Sequence, residues 1–222
     1  MKILVIDDHP LIVDALAQLL PQIDTDIIVR TALNPCEAIA VLDNEPDVAL
    51  ILLDLALPGA RGLDLLSDLK LDYPGLPVVV ISATHDRATV MAALGAGAHG
   101  FIAKTADCTL LLDAVRRVME GGICMPDEGT MPEGDGVHID SRTLGLTARQ
   151  TDVLKLLVQG KPNKLICRDL KLSEGTVKVH VSAILKALRV RSRTEAIAAL
   201  AGRGISVETL AARRASAESS LR

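Results

Sequence analysis

The stretch VALILLDLALPG, residues 48–59, reads as a strand buried on both faces and then abruptly broken. Val48 to Leu53 are six apolar or small residues without alternation, the pattern of an interior strand in a parallel sheet. They deliver one carboxylate, Asp54, at their end, and Leu57-Pro58-Gly59 turns the chain at once. In an open parallel sheet, ligands bind just beyond the carboxyl ends of the strands, so Asp54 stands where chemistry is done in that architecture. Taken alone, a strand-terminal Asp is also an ordinary turn former. Three further runs, KILVIDD, PVVVIS and GFIAK, end in polar groups at the same edge, and that recurrence favours a site.

Outward from this strand, short apolar runs alternate with helical spacing. Ile3 to Ile6 is a strand, and Asp7-Asp8-His9-Pro10 opens a helix in which Ile12, Leu16 and Leu19 recur at helical intervals. The pattern continues as strand 26–31, helix 35–43, strand 48–53, helix 61–72, strand 77–81, helix 86–95, strand 99–102 and helix 107–119. Such alternation implies right-handed crossovers and a parallel sheet covered on both faces. The expected fold is α/β and flavodoxin-like: five strands in the order 2-1-3-4-5, with a cleft above strands 1 and 3.

Asp7, Asp8 and Asp54 would project into that cleft, too close together to remain all ionised without help. A hard divalent cation supplies the help, and Mg²⁺ commonly binds through one or two carboxylates plus phosphate oxygens. Ser82, ending strand 4, and Lys104, just after strand 5, add a hydroxyl donor and a fixed cation. A carboxylate nucleophile, a metal and donors for equatorial oxygens together describe a phosphoryl site.

The motifs ILVIDDHP, LLDLALPGARGLDLL, VVVISA and GAHGFIAK make residues 1–120 resemble the receiver domain of bacterial two-component response regulators. The resemblance implies that Asp54 accepts a phosphoryl group from a sensor histidine kinase. It implies that Asp8 and Asp54 ligate Mg²⁺ with the carbonyl of Ala56, and that Asp7 acts through a metal-bound water. Ser82 and Lys104 would contact the phosphoryl oxygens, and Phe101 falls at the family's switch aromatic position.

The charge of −4 hides a polar molecule. Residues 1–120 carry 8 Lys+Arg against 17 Asp+Glu, a net of −9, and residues 121–141 carry 5 acids and no base. Residues 142–222 carry 16 bases against 6 acids, a net of +10. Only the second half is therefore expected to meet a polyanion. Cys36, Cys108, Cys124 and Cys167 form no CxxC pair and sit in apolar contexts, which points to free thiols in a reducing compartment and away from structural zinc. Met1-Lys2 passes straight into strand pattern, and no apolar run reaches the ~18 residues a membrane span needs, so a cytoplasmic protein with no membrane contact is expected. With Tyr73 and Phe101 as the only Phe, Tyr or Trp residues, aromatic stacking on bases is nearly excluded as a binding mode.

Residues 121–143 mix Gly, Pro and acids without periodicity and read as a flexible linker. After Leu146 the spacing turns helical throughout. Thr147 caps a helix with Val153, Leu156 and Leu157 on one face; Gly160-Lys161-Pro162 stops it; Asn163 to Leu170 forms a short helix; and Ser173 caps a longer one from Glu174 to about Arg189. This is the helix-turn-helix plan. On the longer helix Val177, Val181, Ile184, Leu185 and Leu188 form the core face. Gly175, Thr176, Val179, Ser182, Ala183 and Lys186 lie opposite, flanked by Lys178 and His180. A valine centred on the polar side makes sense in a major groove, where it meets a thymine methyl and Lys178 reaches guanine. Lys161, Lys164, Arg168, Lys171, Arg189, Arg191 and Arg193 surround it with charge for several phosphates.

The segment from LTARQTDVL through SEGTVKVHVS to VRSRTEAIAAL closely resembles the LuxR-type DNA-binding domain. With the receiver it makes the chain similar to NarL/FixJ-type transcriptional regulators. The resemblance implies a receiver at 1–120, an all-α DNA-binding domain at 144–205 and a tail at 206–222 of no assigned role. It assigns Lys178, Val179 and His180 to the groove of double-stranded DNA and Lys164 and Thr176 to its phosphates, with Ser182 and Lys186 also among the DNA-binding residues. It also implies a homodimer on operator half-sites when active. Gln150 stands where an acid is common, Cys167 where alanine is usual, and Lys161 precedes Pro162. An enzyme-class rival, an aspartate-nucleophile phosphohydrolase, wants a general acid two residues after the nucleophile, where this chain has Ala56. The expected protein is thus no enzyme beyond slow self-dephosphorylation. A second rival, a DNA binder whose receiver only dimerises, leaves the pocket residues without a purpose.

Overall fold

The computed structural model describes residues 1–58, 62–125 and 146–202. The chain divides into two compact units, Met1–Met131 and Pro132–Arg222.

In the first unit, β1 (Lys2–Ile6), β2 (Ile28–Ala32), β3 (Val48–Asp54), β4 (Val78–Ser82) and β5 (Gly100–Ala103) form one parallel sheet in the order β2-β1-β3-β4-β5. The helices are α1 (Pro10–Leu19), α2 (Pro35–Asn44), α3 (Gly62–Asp72), α4 (Arg87–Gly95) and α5 (Cys108–Met119), with a short 3₁₀ turn at Leu20–Gln22. The central strands are buried along their length because both faces are covered, as the unbroken apolar run required. Ile3, Val5, Leu50, Leu52, Val79 and Ile81 line one sheet face, packed with Val13 and Leu16 of α1 and Val115 and Val118 of α5. Asn34, Asp86 and Asp107 cap α2, α4 and α5 by accepting backbone N–H groups, while Pro10 starts α1 without a side-chain cap.

Three differences from the sequence reading have local causes. The strand expected at 26–31 begins at Ile28, because Asp24 Oδ1 accepts the Asp26 N–H (3.0 Å) and holds those residues in a turn. Cys36 and Cys108 are free but exposed, since each lies in the first turn of a helix and not on a buried stripe. The linker expected from residue 121 does not begin there: Ile123 is 2% exposed and Cys124 pairs alongside Gly100 of β5. Residues 126–143 of that linker and the tail at 206–222 lie outside the described residues.

The second unit contains α6 (Ala148–Val158), α7 (Asn163–Leu170), α8 (Glu174–Leu188) and α9 (Arg193–Gly202). Its core is separate, built from Val153, Leu154 and Leu157 of α6, Ile166 of α7, Val177 and Ile184 of α8 and Ile197 of α9. Thr147 accepts the Gln150 N–H, and the Gln150 side chain accepts the Thr147 N–H (2.8 Å), so the amide completes the capping box that an acid would otherwise close. Ser173 caps α8 through the Thr176 N–H (3.1 Å). Lys171, in the left-handed conformation at φ 53°, ends α7 and makes the tight turn. Among the described residues, no helix is long and apolar enough to cross a membrane.

Candidate functional site

Asp54 is the last residue of β3, and its side chain is fully screened from solvent. Asp7 and Asp8 follow β1, which lies beside β3 in the sheet, so the topology brings all three carboxylates to one edge. α3 closes against the chain just after Asp54: a Cβ on Gly62 would fall onto the backbone of Leu55, so only glycine permits the approach. The Ala56 N–H donates to Asp54 Oδ1 (3.1 Å), orienting the carboxylate. Lys104, one residue beyond β5, places Nζ 2.8 Å from Asp54 Oδ2 and 2.8 Å from Asp7 Oδ2. Burial pulls the Lys104 ammonium down, but its hydrogen bonds to Asp54 and Asp7 outweigh that, and it is held above the usual lysine range. The Lys104 N–H donates to the Ser82 carbonyl (2.8 Å), joining the ends of β4 and β5. Ser82 is nearly buried, with Oγ accepting the Thr84 N–H (3.2 Å). Phe101, 1% exposed, lies three residues before Lys104 on β5.

One participant went unassigned in the sequence. His9 donates its N–H to Asp7 Oδ1 (2.9 Å), and its Nδ1 lies 3.1 Å from Asp7 Oδ1 and 2.8 Å from Asp8 Oδ1. Its adjacency to two acids was the available signal. Ligand atoms from Asp7, Asp8, His9 and Asp54 lie within 4.8 Å of one another. Asp8 Oδ1 is buried there and, despite its nearness to the imidazole, accepts no hydrogen bond among the described residues. A buried carboxylate oxygen that accepts no hydrogen bond, set among further carboxylates, belongs to a donor set that suits a hard cation.

In the second unit α8 presents the face read from its sequence. Val179 is 68% exposed, and Gly175, Thr176, Lys178, Ser182 and Lys186 are exposed around it. Val177, Ile184 and Leu188 are buried, while Val181 and Leu185 are only partly so, and His180 is half-buried on the flank. Lys178 pairs with Glu174 one turn earlier (2.8 Å), which ties its ammonium to the amino-terminal end of the helix. Lys164 stands exposed on α7, as do Arg168 beside it and Arg189 and Arg191 after α8.

Arg193, expected among the phosphate-facing cations, is turned inward. It donates to the carbonyls of Lys161 and Leu157 and to Asn163 Oδ1, and burial lowers its guanidinium to about 10. It ties α9 to the turn between α6 and α7, a role that a count of charges does not distinguish from surface exposure. Lys161 is likewise committed, 2.7 Å from Asp169.

Residues 3–116 match the response regulator receiver domain, and residues 144–200 match the bacterial regulatory proteins of the luxR family. The nitrate/nitrite response regulator protein NarL of Escherichia coli (strain K12) is 36% identical over 200 residues, covering 87% of this chain and 92% of that protein. The glycerol metabolism activator of Pseudomonas putida is 35% identical over 205 residues, covering 88% and 93%. A crystal structure of a LuxR family DNA-binding response regulator from Silicibacter pomeroyi superposes with a TM-score of 0.51 at 36% identity, over 58% of this chain and 98% of that one. The sheet order, the clustered carboxylates and the capped helix-turn-helix agree with both matches. The chain belongs to the two-component response regulators that join a receiver domain to a LuxR-family DNA-binding domain and control transcription.

Proposed function

We propose that Asp54 is the phosphoacceptor through which a sensor histidine kinase controls this regulator's affinity for DNA. The observation that carries the reading is the Lys104 ammonium bridging Asp54 and Asp7, 2.8 Å from each, over a carboxylate closed to bulk water. An Asp54 oxygen attacks the phosphorus of the kinase's phosphohistidine; the O–P bond forms as the P–N bond breaks and the imidazole leaves. Lys104 then turns from the carboxylate to the phosphoryl oxygens, and the Ser82 hydroxyl donates to another of them. Asp7, Asp8, Asp54 and the Ala56 carbonyl are the groups that would hold Mg²⁺, which supplies positive charge against the phosphoryl oxygens. With Ala56 two residues after the nucleophile there is no general acid to drive turnover, so the acyl phosphate serves as a signal and is lost at most slowly.

Phe101 reports the state of the pocket within the receiver. In the DNA-binding domain, residues 144–205, α8 enters the major groove with Lys178, Val179, His180 and Ser182 toward the bases. Lys164, Thr176 and Lys186 hold phosphates. The active form is a homodimer on two operator half-sites, working in the cytoplasm. Incubation with acetyl phosphate and Mg²⁺, followed by intact-mass measurement, tests the assignment. Wild type gains one phosphoryl group and Asp54→Asn gains none, while chelation of Mg²⁺ stops the reaction. Equal labelling of the Asn variant refutes it.

A further inference from the structure

We propose that residues Ile123–Met125 form a rib along the outer edge of β5 that carries the state of the Asp54 pocket into the chain leading to the DNA-binding domain; this rests on the phosphoacceptor reading of Asp54. β5 is the last strand of the sheet, and its free edge would present unpaired backbone groups. The rib covers them. Gly100 pairs with Cys124 in parallel, the Cys124 N–H donates to the His99 carbonyl (3.1 Å), and the Phe101 N–H donates to the Cys124 carbonyl (3.0 Å). Ile123 is buried at 2% exposure, while Cys124 packs against the core on the sheet face of α5. A Cβ on Gly100 would stand 3.2 Å from Cys124 Cβ, so glycine there lets the rib close fully.

The same short strand is tied to the pocket at its other end. Lys104 binds Asp54 and Asp7 by its ammonium and Ser82 by its N–H, and Phe101 lies three residues, roughly 10 Å of extended chain, before it. Transfer of Lys104 from carboxylate to phosphoryl oxygens therefore pulls on a strand whose edge is bonded to the rib. There is also room for the response. Phe101, Leu110, Ala114, Cys124 and Met125 line an apolar cavity of about 270 Å³. A buried ring beside empty space has a second packing available to it, and a ring entering this cavity meets the rib that shares its lining. The rib is thus attached to β5 by main chain and to the switch aromatic by a shared cavity, and it is the last described stretch of the chain before the second unit.

The test uses the full chain with beryllofluoride and Mg²⁺ as the phosphoryl mimic. Fluorine NMR reports mimic binding, and amide hydrogen exchange reports the rib. The expected result is that the Phe101 and Cys124 amides change exchange rate together, tenfold or more, while that of Leu4 on β1 does not. Gly100→Val, which pushes Cys124 away, and Ile123→Ser, which removes the anchor, should still bind the mimic. They should lose the mimic-induced gain in affinity for a duplex selected from a random-sequence pool by the wild-type protein. If Gly100→Val does not fold, Ile123→Ser and the wild-type exchange data decide the matter. Bound mimic with unchanged Phe101 and Cys124 amides, or a full affinity gain in a folded variant, overturns the proposal. Absence of bound fluoride in the wild type would instead overturn the phosphoacceptor reading, and the rib's role with it.

Discussion

His99 makes the receiver's stability depend on pH in a window well above that of its carboxylates. It precedes β5, its Nδ1 is buried with no hydrogen-bond partner among the described residues, and burial first, then the nearby Lys70 ammonium, lowers it to about 4. Lys70 is fixed there by donating to the Pro74 and Leu76 carbonyls (2.9 and 2.8 Å). Because the folded value lies below the unfolded one of about 6.5, the unfolded chain binds more protons between those values. Stability is then complete above pH 6.5 and is lost as pH falls toward 4. Between pH 7 and pH 5 this single group removes about 2 kcal/mol, a sizeable share of a typical domain's ~5–15 kcal/mol. The assay is urea unfolding of residues 1–125 followed by far-ultraviolet circular dichroism, since the chain has no Trp and a single Tyr. Wild type should lose about 2 kcal/mol more than His99→Gln between those pH values. Glu45, Asp47, Asp86 and Asp107, all held below the ordinary carboxylate range by hydrogen bonds, lose their contribution mainly below this interval and do so alike in both proteins, so they drop out of the comparison. Equal losses in the two proteins would refute the argument.

Gly62→Ala should destabilise the receiver by roughly 1–3 kcal/mol, because the added methyl meets the Leu55 backbone; a melting temperature within a degree of wild type would contradict that. Arg193→Met should cost about 1–3 kcal/mol in the DNA-binding domain by leaving the Lys161 and Leu157 carbonyls short of a donor, an effect visible in its urea midpoint. Val179→Ala or Lys178→Ala should cost roughly 1–3 kcal/mol on a selected duplex and flatten discrimination among base substitutions. Lys164→Ala should instead weaken selected and scrambled duplexes alike and lower the log–log salt slope by about one. Titrations at several salt concentrations separate the two patterns, and unchanged discrimination in both α8 variants counts against that helix as the reader.

What the sequence by itself determined about this protein is what short-range physics controls. An unbroken apolar run specifies a doubly buried strand, so β3 and its terminal Asp54 were legible at once. Alternation of such runs with helical spacing determined the sheet order that gathers Asp7, Asp8 and Asp54. Thr147 and Ser173 cap helices because a hydroxyl three residues before an N–H needs no tertiary partner. Tertiary structure alone decided the rest, because those outcomes depend on partners distant in the chain. The basic residue Arg193 reads like its neighbours until the carbonyls of Leu157 and Lys161, more than 30 residues away, turn it inward. The Gly- and Pro-rich stretch after α5 looks like a linker from its first residue. Gly121 and Gly122 close the end of α5 by local hydrogen bonds to Val118 and Arg117, but Ile123 and Cys124 are structured because the bare edge of β5 offers hydrogen bonds and Ile123 finds a buried place beside it.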